Sequence, residues 1–474
     1  MKLLRKICLI LAGGTLLFST SCLEDKIRTI DPVTGDKSGV NDWIYNMMND
    51  AYFWYDQMPA KNKTDNDLAP KDYFEKLVYQ RQTRDRFSML TDDINALQQQ
   101  FNGITKTFGL HNVFAYIDGG KSNVAAFVSH VAKGSPADAA GLKRGDIITK
   151  VNGTQLTKDN YAQLIGGPET IRVNLGTVNG NVITTDDSRT ISLTKAVVTE
   201  DPVAYAGVIP RKNVRLGYLV YTQFVPGTDS DKERYDNELR AVFAGFKTAG
   251  VNELVLDLRL NGGGFMSSAV TLASLIVSNN SSGKVFYEEQ WNDKYIKYWK
   301  EKNGADALTY KFKQEKDNIG SRLNRVFVLT SQGTASASEL IINGLKPYMQ
   351  VITIGDHTAG KNLFGSLVGD EKKRWNYGLY MMLGQTTNAD GQSDYGTVNG
   401  IPASRQVEDF SIPYKPFGDE TETLLNAAMR EIGIAPAANA RLGTAMNVKP
   451  VSSGAVRDTP GAWDQLMIRE LQPR

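Results

Sequence analysis

Three segments of the chain hold residue types that together could carry out acyl-transfer chemistry. Gly262, Gly263 and Gly264 follow an apolar run, Ser336 begins a Ser-Ala-Ser-Glu segment, and Lys361 ends a Thr-Ala-Gly-Lys turn. A serine hydroxyl is a weak nucleophile that needs a base, and a neutral lysine can be that base. Glycines let backbone N–H groups come close to an anion. This combination suits attack on a carbonyl carbon with the oxyanion held by N–H donors.

The elements around these segments are predicted to bring them together. Apolar runs alternate with amphipathic stretches after residue 215, which predicts an α/β layer. Strands are predicted at 216–223, 253–258, 325–330 and 351–354, and helices at 231–247, 266–277 and 336–348. Ser336 then lies at a helix start, and the following strand returns the chain to the same sheet edge before Lys361. We therefore expect Ser336 and Lys361 to meet.

Each segment also has an interpretation without chemistry. Ser336 with Glu339 three residues later forms a capping-box pattern, and Lys361 in a glycine-flanked turn is typical of a surface charge. The three glycines lack the GxGxxG spacing of a dinucleotide site and the Gly-Lys-Ser/Thr of a P-loop. Taken singly, the segments assign no function.

Taken together, the segments resemble the tail-specific or C-terminal processing serine proteases. That family has a Ser-Ala-Ser-Glu nucleophile segment and a Thr-x-Gly-Lys base turn, here Ser336 and, 25 residues later, Lys361. Its Asp-Leu-Arg-x-Asn-x-Gly-Gly segment is matched by residues 257–264. The resemblance implies a serine peptidase without a cofactor, with Ser336 as nucleophile and Lys361 as general base. Ala337 with Gly263 or Gly264 would hold the oxyanion.

Such a mechanism places a physical demand on the lysine. An unperturbed lysine, with a pKa of about 10.4, is almost wholly protonated at pH 7. Burial away from water lowers the pKa of an amine, and a shift of about three units is needed here. The sequence therefore predicts that Lys361 is buried behind the Ser336 helix.

The resemblance also predicts the fold and the domain order. The fold class is α/β, a crotonase-like ββα protease core with an inserted β-rich PDZ domain and a small N-terminal helical domain. Residues 133–153 closely match a PDZ core. The expected divisions are signal peptide 1–21, lipidated tether 22–40, helical domain 41–100, PDZ domain 104–199, protease core 205–435 and C-terminal tail 436–474, with a short helix at 462–471.

The PDZ domain implies a way of choosing substrates. In this fold a peptide adds as a strand to a sheet edge while a loop of N–H groups binds its terminal carboxylate. By resemblance that loop contains Phe108, Gly109 and Leu110, with Lys106 beside it. The expected partners are extended polypeptides with free C-termini.

The N-terminus predicts a route to the cell envelope. Lys2, Arg5 and Lys6 precede an apolar run, and small residues lead to Cys22, as in a lipobox. Acylation of Cys22 would make the membrane a partner through a lipid anchor, with the body outside the cytoplasm and the outer membrane as the expected location. Loss of residues 1–21 removes three positive charges, so the formal net charge of +2 becomes −1. An ordinary secretory signal with an incidental cysteine is the alternative.

One departure from the family pattern keeps other functions open. Family members carry Gln or Glu four residues after the lysine, where this chain has Gly365. His357 is a possible substitute third member. A catalytically impaired, lipid-anchored peptide-binding or scaffold protein is the main alternative, and an oxyanion-hole enzyme acting on thioesters is another.

Composition argues against several other classes of protein. The 474 residues contain 54 Lys and Arg against 52 Asp and Glu, so no excess of positive charge indicates nucleic acid. Two Cys and three His argue against a disulfide scaffold and against most zinc arrangements, and we expect no metal. The oligomeric state stays open.

Overall fold

The computed structural model describes residues 39–180, 182–409, 412–436, 448–451, 456–457 and 466–469. The predicted signal peptide, the acylation candidate Cys22 and the tether to residue 38 lie outside the described residues, as does most of the predicted tail. Within the described part of the chain, no helix is both long enough and apolar enough to cross a membrane.

The helices and strands are numbered here in chain order. The α-helices are α1 Val40–Ala51, α2 Pro70–Leu77, α3 Ile94–Phe101, α4 Pro136–Ala139, α5 Tyr161–Gly166, α6 Arg234–Ala249, α7 Met266–Ile276, α8 Asp293–Asn303, α9 Ala337–Leu345 and α10 Thr423–Ile432. The strands are β1 Met89–Thr91, β2 Ile104–Thr107, β3 Leu110–Tyr116, β4 Val124–Val131, β5 Ile147–Val151, β6 Thr154–Gln155, β7 Thr170–Asn179, β8 Val182–Thr194, β9 Ala196–Thr199, β10 Val203–Arg211, β11 Val214–Tyr221, β12 Glu253–Asp257, β13 Gly263–Phe265, β14 Val285–Trp291, β15 Thr309–Lys311, β16 Arg325–Thr330, β17 Gln350–Gly355, β18 Leu363–Gly369, β19 Gly378–Thr387, β20 Arg405–Gln406, β21 Val456–Arg457 and β22 Leu466–Ile468.

A six-stranded sheet carries the predicted catalytic segments. Its order is β10-β11-β12-β16-β17-β20, and every pair from β11 to β20 is parallel. Strands β12 and β16 are continuous apolar runs because both of their faces are covered. Helices α6, α7 and α9 contribute to the core on one face, and α10 covers the other face. The strands and helices predicted between residues 216 and 355 all occur, with ends shifted by up to three residues.

A second, largely antiparallel sheet lies against the same core and was not foreseen from the sequence. Its order is β13-β22-β18-β19-β14-β15, with β1 added beside β19. The strand β22 falls inside the segment for which a helix was predicted, and that prediction is wrong. Its pairing with β13 and β18 supplies main-chain partners that a short isolated helix would lack.

The helical N-terminal domain is joined to the core that carries the predicted catalytic segments. Helix α1 buries Trp43, Ile44, Met47 and Met48, whose spacing of three and four places them on one face. These residues belong to the same apolar cluster as residues of α6, α7 and α9. Strand β1 adds a second contact between the N-terminal domain and the core, since it pairs with β19 of the second sheet.

The PDZ domain forms a separate antiparallel sheet, β3-β4-β5-β7-β8, with β6 beside β5. Its own apolar cluster lies between this sheet and helix α5. The strands β2 and β9 that enter and leave the domain pair with each other. The predicted fold class, an α/β core with a PDZ domain and a helical N-terminal domain, is confirmed.

Candidate active site

The carboxyl ends of β12, β16 and β17 lead into the three predicted segments. Because these strands are parallel, the loops after them share one edge of the sheet. Thr334 Oγ1 donates to the carbonyl of Leu258 at 2.8 Å, and the N–H of Ala359 donates to the carbonyl of Thr334 at 2.9 Å. The loop that carries Ser336 is thus fastened to both of its neighbours.

Ser336 is held in a strained conformation with an uncommitted hydroxyl. It lies at the N-cap of α9 with φ of +66° and ψ of −114°, a region that side-chain-bearing residues rarely adopt. The side chain is fully buried, and its Oγ has no hydrogen-bond partner among the residues that the structure describes. Ser336 and Glu339 occupy the positions of a capping box, yet the serine hydroxyl makes no hydrogen bond to cap the helix. Capping alone therefore does not explain this serine.

Glu339 connects the nucleophile segment to the base segment. Its Oε2 accepts from the N–H of Ser336 at 2.7 Å and of Lys361 at 2.8 Å. Its Oε1 accepts from the N–H of Gly360 at 2.7 Å and from Thr358 Oγ1 at 2.5 Å. Burial raises the pKa of this carboxyl, and these four donors oppose the rise. From the sequence, Glu339 was predicted only to cap the helix, and no sequence signal distinguishes that role from this one.

Lys361 is fully buried, and its amine lies between two aromatic rings. Nζ is 4.8 Å from the ring centre of Phe87 and 5.2 Å from that of Tyr380, and it donates to Tyr380 Oη at 3.3 Å. Burial lowers the pKa of the lysine to about 7, although the carboxylates of Asp85 and Glu339 act to raise it. Close to neutral pH, about half of such an amine is uncharged and able to accept a proton.

The N-terminal domain supplies one side of the lysine pocket. Arg86 donates to the carbonyls of Ala359 and Gly360, at 3.0 and 2.7 Å. The Asp85 carboxylate accepts from the N–H of Ser88 at 2.8 Å and so fixes the turn that places Phe87 over the amine. The contact of this turn with Lys361 was not predicted from the sequence.

The predicted oxyanion donors have different environments. Ala337 is the first residue of α9, so its N–H has no acceptor within the helix. The N–H of Gly263 already donates to Asn261 Oδ1 at 2.8 Å. A Cβ on Gly264 would lie 2.1 Å from the carbonyl oxygen of Phe224, so only glycine fits there. The Asn261 carbonyl accepts from the N–H of Ala335 at 3.2 Å and so holds the glycines beside the serine loop.

Gly365 and His357 bear on the third catalytic member. A Cβ at Gly365 would lie 2.5 Å from the carbonyl oxygen of Met381, so this position has no room for the Gln or Glu of the family. His357 Nδ1 lies 2.8 Å from the carbonyl of Thr358, a contact within its own turn. Tyr380, by contrast, touches the lysine amine directly. It lies on β19, and the sequence analysis did not single it out.

A buried ion network lies behind the glycine segment. Arg259 contacts the carboxylates of Asp257, Glu422 and Asp409 at 2.6–3.0 Å. Burial acts to raise the pKa of Glu422, but Arg259 holds it at about 2, whereas burial raises that of Asp409 to about 6. Arg144 of the PDZ domain reaches Glu422 at 3.2 Å. The PDZ domain is therefore linked by charge to the edge that carries the site.

The PDZ domain and the core enclose a cavity of about 690 Å³ beside this network. Arg144, Ser331, Gln332 and Val451 are among the residues that line it. Since the cavity reaches the loop that leads to Ser336, it offers a path between the two domains.

The predicted carboxylate loop lies between β2 and β3. Phe108 and Leu110 are buried in the PDZ core. Gly109 has φ of +85°, and its N–H donates to Thr107 Oγ1 at 2.9 Å. Lys106 pairs with Glu169 at 2.7 Å on the surface.

Among the described residues, one group of side chains could hold a metal ion, and it belongs to the PDZ domain. His111 Nε2 and His130 Nε2 lie 3.0 and 3.8 Å from Glu200 Oε1. None of the three lies on the loops that carry Ser336 and Lys361.

Comparison with known proteins places this geometry in a family. A model described as "Peptidase family S41" matches residues 215–393, the range that contains the glycine segment, Ser336 and Lys361. The chain is a member of peptidase family S41. The S41 N-terminal domain matches residues 39–89 and a PDZ domain matches residues 127–176, so all three regions of this S41 peptidase are accounted for.

Individual relatives agree with this assignment. The S41 peptidase is 25% identical over 385 residues to a probable CtpA-like serine protease of Staphylococcus aureus. The alignment covers 77% of this chain and 68% of that protein. It is 28% identical over 263 residues to a chloroplastic C-terminal processing peptidase of Tetradesmus obliquus, covering 53% of this chain and 51% of that protein. A crystal structure of a putative S41 protease from Bacteroides fragilis matches with a TM-score of 0.70 and 27% identity, over 82% of this chain and 97% of that one. The chain is thus a serine-type peptidase.

The bridging role of Glu339 can be tested by Glu339→Gln. The amide nitrogen would replace one oxygen that now accepts two hydrogen bonds, so two buried donors would face another donor. We expect kcat to fall by about 100-fold or more because both loops shift, with a loss of about 1–3 kcal/mol in stability. Steady-state kinetics and thermal unfolding measure both effects.

Glu315→Gln is the matched control, because Glu315 is also buried but pairs with Arg240 on another part of the core. It should lose stability without the large fall in kcat. Equal kcat values for Glu339→Gln and the wild type would contradict the bridging role.

Proposed function

We propose that this S41 peptidase cleaves polypeptides through an acyl-enzyme, with Ser336 as nucleophile and Lys361 as general base. One observation carries the proposal. The Glu339 carboxylate accepts hydrogen bonds from the backbone N–H groups of both Ser336 and Lys361. Lys361 is fully buried and has a pKa of about 7, and the hydroxyl of the buried Ser336 has no hydrogen-bond partner among the described residues.

The chemistry follows from these groups. The neutral amine of Lys361 takes the proton of Ser336 Oγ as the oxygen attacks the scissile carbonyl carbon. The negative charge that develops on the carbonyl oxygen faces the N–H of Ala337 and the neighbouring glycine segment, and each such donor contributes about 3–4 kcal/mol in related acyl transfer. Collapse breaks the C–N bond, and the lysine ammonium returns the proton to the leaving amine. Water then attacks the acyl-enzyme by the same route.

The lysine predicts the pH dependence of the reaction. Only the uncharged amine accepts a proton, and burial places its pKa at about 7. We therefore expect kcat/KM to rise about tenfold per pH unit below pH 6 and to level off above pH 8, with a midpoint near 7. Ser336→Ala should abolish cleavage at every pH. A profile that stays flat from pH 5 to pH 9 would exclude Lys361 as the base.

Lys361→Met provides a control for folding. Keeping this amine buried costs the native state about 4 kcal/mol near neutral pH, because its pKa lies below the value in the unfolded chain. The variant should therefore be inactive and no less stable than the wild type in thermal unfolding. An inactive but destabilised variant would not support the assignment.

We propose that Tyr380 orients Lys361 in place of the Gln or Glu that Gly365 excludes. Its hydroxyl lies 3.3 Å from Nζ. The Tyr380 hydroxyl oxygen accepts a hydrogen bond from the Lys361 ammonium and so stabilises it. Tyr380→Phe keeps the ring and removes this acceptor. We expect kcat to fall about tenfold or more and the midpoint of the pH profile to move below 7. The pH dependence of kcat/KM measures both changes.

Tyr348→Phe is the matched control, since it removes a hydroxyl that donates to the carbonyl of Val285 on the edge of the second sheet. It should leave the midpoint in place. Should Tyr380→Phe also leave both kcat and midpoint in place, the orienting role would be wrong. Gly365 was the best support for the binding-only alternative, and the contact between Tyr380 and Lys361 favours catalysis over it.

We propose that the substrates are extended polypeptides recognised through their C-termini by the PDZ domain. The carboxylate loop of this proposal is at Phe108, Gly109 and Leu110. The support is the domain itself and the cavity that lies between Val113, on the strand after that loop, and the loop that leads to Ser336. Hydrogen bonds to a carboxylate are worth about 1.5–3 kcal/mol. A peptide with a free C-terminus should therefore have a kcat/KM about 10-fold or more above that of its C-terminal amide. Equal values would argue against carboxylate recognition.

For location, we propose a lipoprotein of the cell envelope, anchored through Cys22 and facing out of the cytoplasm at the outer membrane. The support is the sequence of residues 1–22. Palmitate labelling that persists in Cys22→Ser would contradict the anchor.

A further inference from the structure

The edge of the PDZ sheet that a peptide would join is already paired in this structure. Strand β3 follows the carboxylate loop and pairs with β4 on one side. On its other side lies the C-terminal part of the same chain. The strand β21 pairs antiparallel with it, with Val456 opposite Asn112 and Arg457 opposite His111.

Upstream, residues 449–451 contact the other end of β3. The N–H of Tyr116 donates to the carbonyl of Lys449 at 2.9 Å, and the N–H of Val451 donates to the carbonyl of Phe114 at 2.8 Å. Pro450 bridges to Ala115 between them. Residues 449–451 and 456–457 are thus added to the sheet by main-chain pairing, which is how PDZ domains take extended peptides.

Two valine side chains of the segment also pack against the PDZ domain, as those of a bound peptide would. Val451 is half-buried and packs against the apolar cluster that includes Phe114 of β3 and Leu164 of α5, while Val448 packs against the cluster that contains Val113. The segment runs antiparallel to β3, so its C-terminal end points toward the loop at Phe108 and Gly109. A bound substrate terminus would have the same polarity.

Further along, the same C-terminal chain reaches the catalytic sheet. Strand β22 pairs in parallel with Gly263–Phe265, and the N–H of Arg469 donates to the carbonyl of Gly365 at 2.9 Å. Arg469 Nε lies 2.7 Å from the buried carboxylate of Glu289. The C-terminal chain therefore has one anchor on the peptide edge of the PDZ domain and another beside the glycines of the active site.

We propose that the peptide edge of the PDZ domain is the binding site of this chain's own residues 448–451 and 456–457, which a substrate must displace before it can be presented for cleavage. The proposal rests on the proposed function, since it assigns a competitor to the substrate of that function. An intramolecular segment competes at an effective concentration in the millimolar range. Polypeptides added at micromolar concentration then bind only when their sequence, or a second contact, outcompetes the resident strand.

The proposal is tested on the full chain by Val451→Asp, which places a carboxylate in the apolar groove and keeps the backbone N–H. The probe is a fluorescent synthetic peptide of residues 446–459. We expect the variant to bind this peptide at least about tenfold more tightly than the wild type, because the resident strand no longer fills the site. In amide hydrogen exchange, the N–H of Tyr116 should become less protected in the variant.

Val197→Asp is the matched control. It makes the same change at a valine that is 70% exposed on β9, away from this edge. Its peptide affinity and Tyr116 exchange should equal those of the wild type. Val451→Pro, which removes the N–H that bonds Phe114, is the second variant and should behave as Val451→Asp does. If both Val451 variants bind the peptide and exchange Tyr116 as the wild type does, the proposal is overturned.

Catalysis is followed separately, so that the two proposals can fail separately. Binding and exchange are repeated in Ser336→Ala, where no cleavage interferes. With active enzyme and an unstructured polypeptide, Val451→Asp should lower KM about tenfold while kcat changes little. An absence of cleavage in every variant would refute the proposed chemistry and leave the binding result intact. Tighter peptide binding with an unchanged KM would overturn the claim that substrates compete for this edge.

Discussion

The buried carboxylate of Glu339 is the interaction on which the arrangement of the site depends. A carboxylate removed from water is stable only when donors replace the water, and here four donors do so. Three of them are backbone N–H groups from Ser336, Gly360 and Lys361. Because those amides belong to loops after two different strands, satisfying one buried charge fixes the proposed nucleophile and the proposed base relative to each other. The strained backbone of Ser336 persists since this network over-determines it.

The proposed base Lys361 depends on the same exclusion of water, but burial lowers its pKa whereas it raises that of Glu339. Burial that costs a carboxylate its solvation also disfavours an ammonium, and the aromatic faces of Phe87 and Tyr380 complete the enclosure of Lys361. The nearby carboxylates of Asp85 and Glu339 limit the fall in its pKa, so that the amine is poised near neutral pH instead of being permanently uncharged. Since Phe87 and Asp85 come from the N-terminal domain, that domain helps to set the pKa of the proposed base.

Sequence patterns predicted the parts of this structure that local chemistry determines. The parallel strands were predictable because their two buried faces require continuous apolar runs, and their order then placed Ser336 and Lys361 at one sheet edge. Glu339 was not predictable as a bridge, because a capping box accounts fully for its spacing from Ser336. Tyr380 was missed because its contact with Lys361 is made by a strand of the second sheet, and antiparallel pairing across long loops leaves no periodic signal. The helix predicted at 462–471 was wrong for a similar reason, since β22 is specified by its partners β13 and β18 and not by its own composition.

The C-terminal chain likewise binds where backbone groups need partners, at the edge of β3 that β4 does not cover. A strand such as β3 with one free edge exposes a row of N–H and C=O groups, which is both a recognition site and a liability for unwanted pairing. A protein that must keep such an edge for peptides gains from covering it with a strand that can leave. Residues 448–451 and 456–457 meet that requirement, because their hold on the PDZ domain is made of a few main-chain hydrogen bonds and two valines, the buried Val448 and the half-buried Val451. A peptide with the same hydrogen bonds and a better apolar contact can replace them, so the property that makes the edge useful for substrates also makes its cover removable.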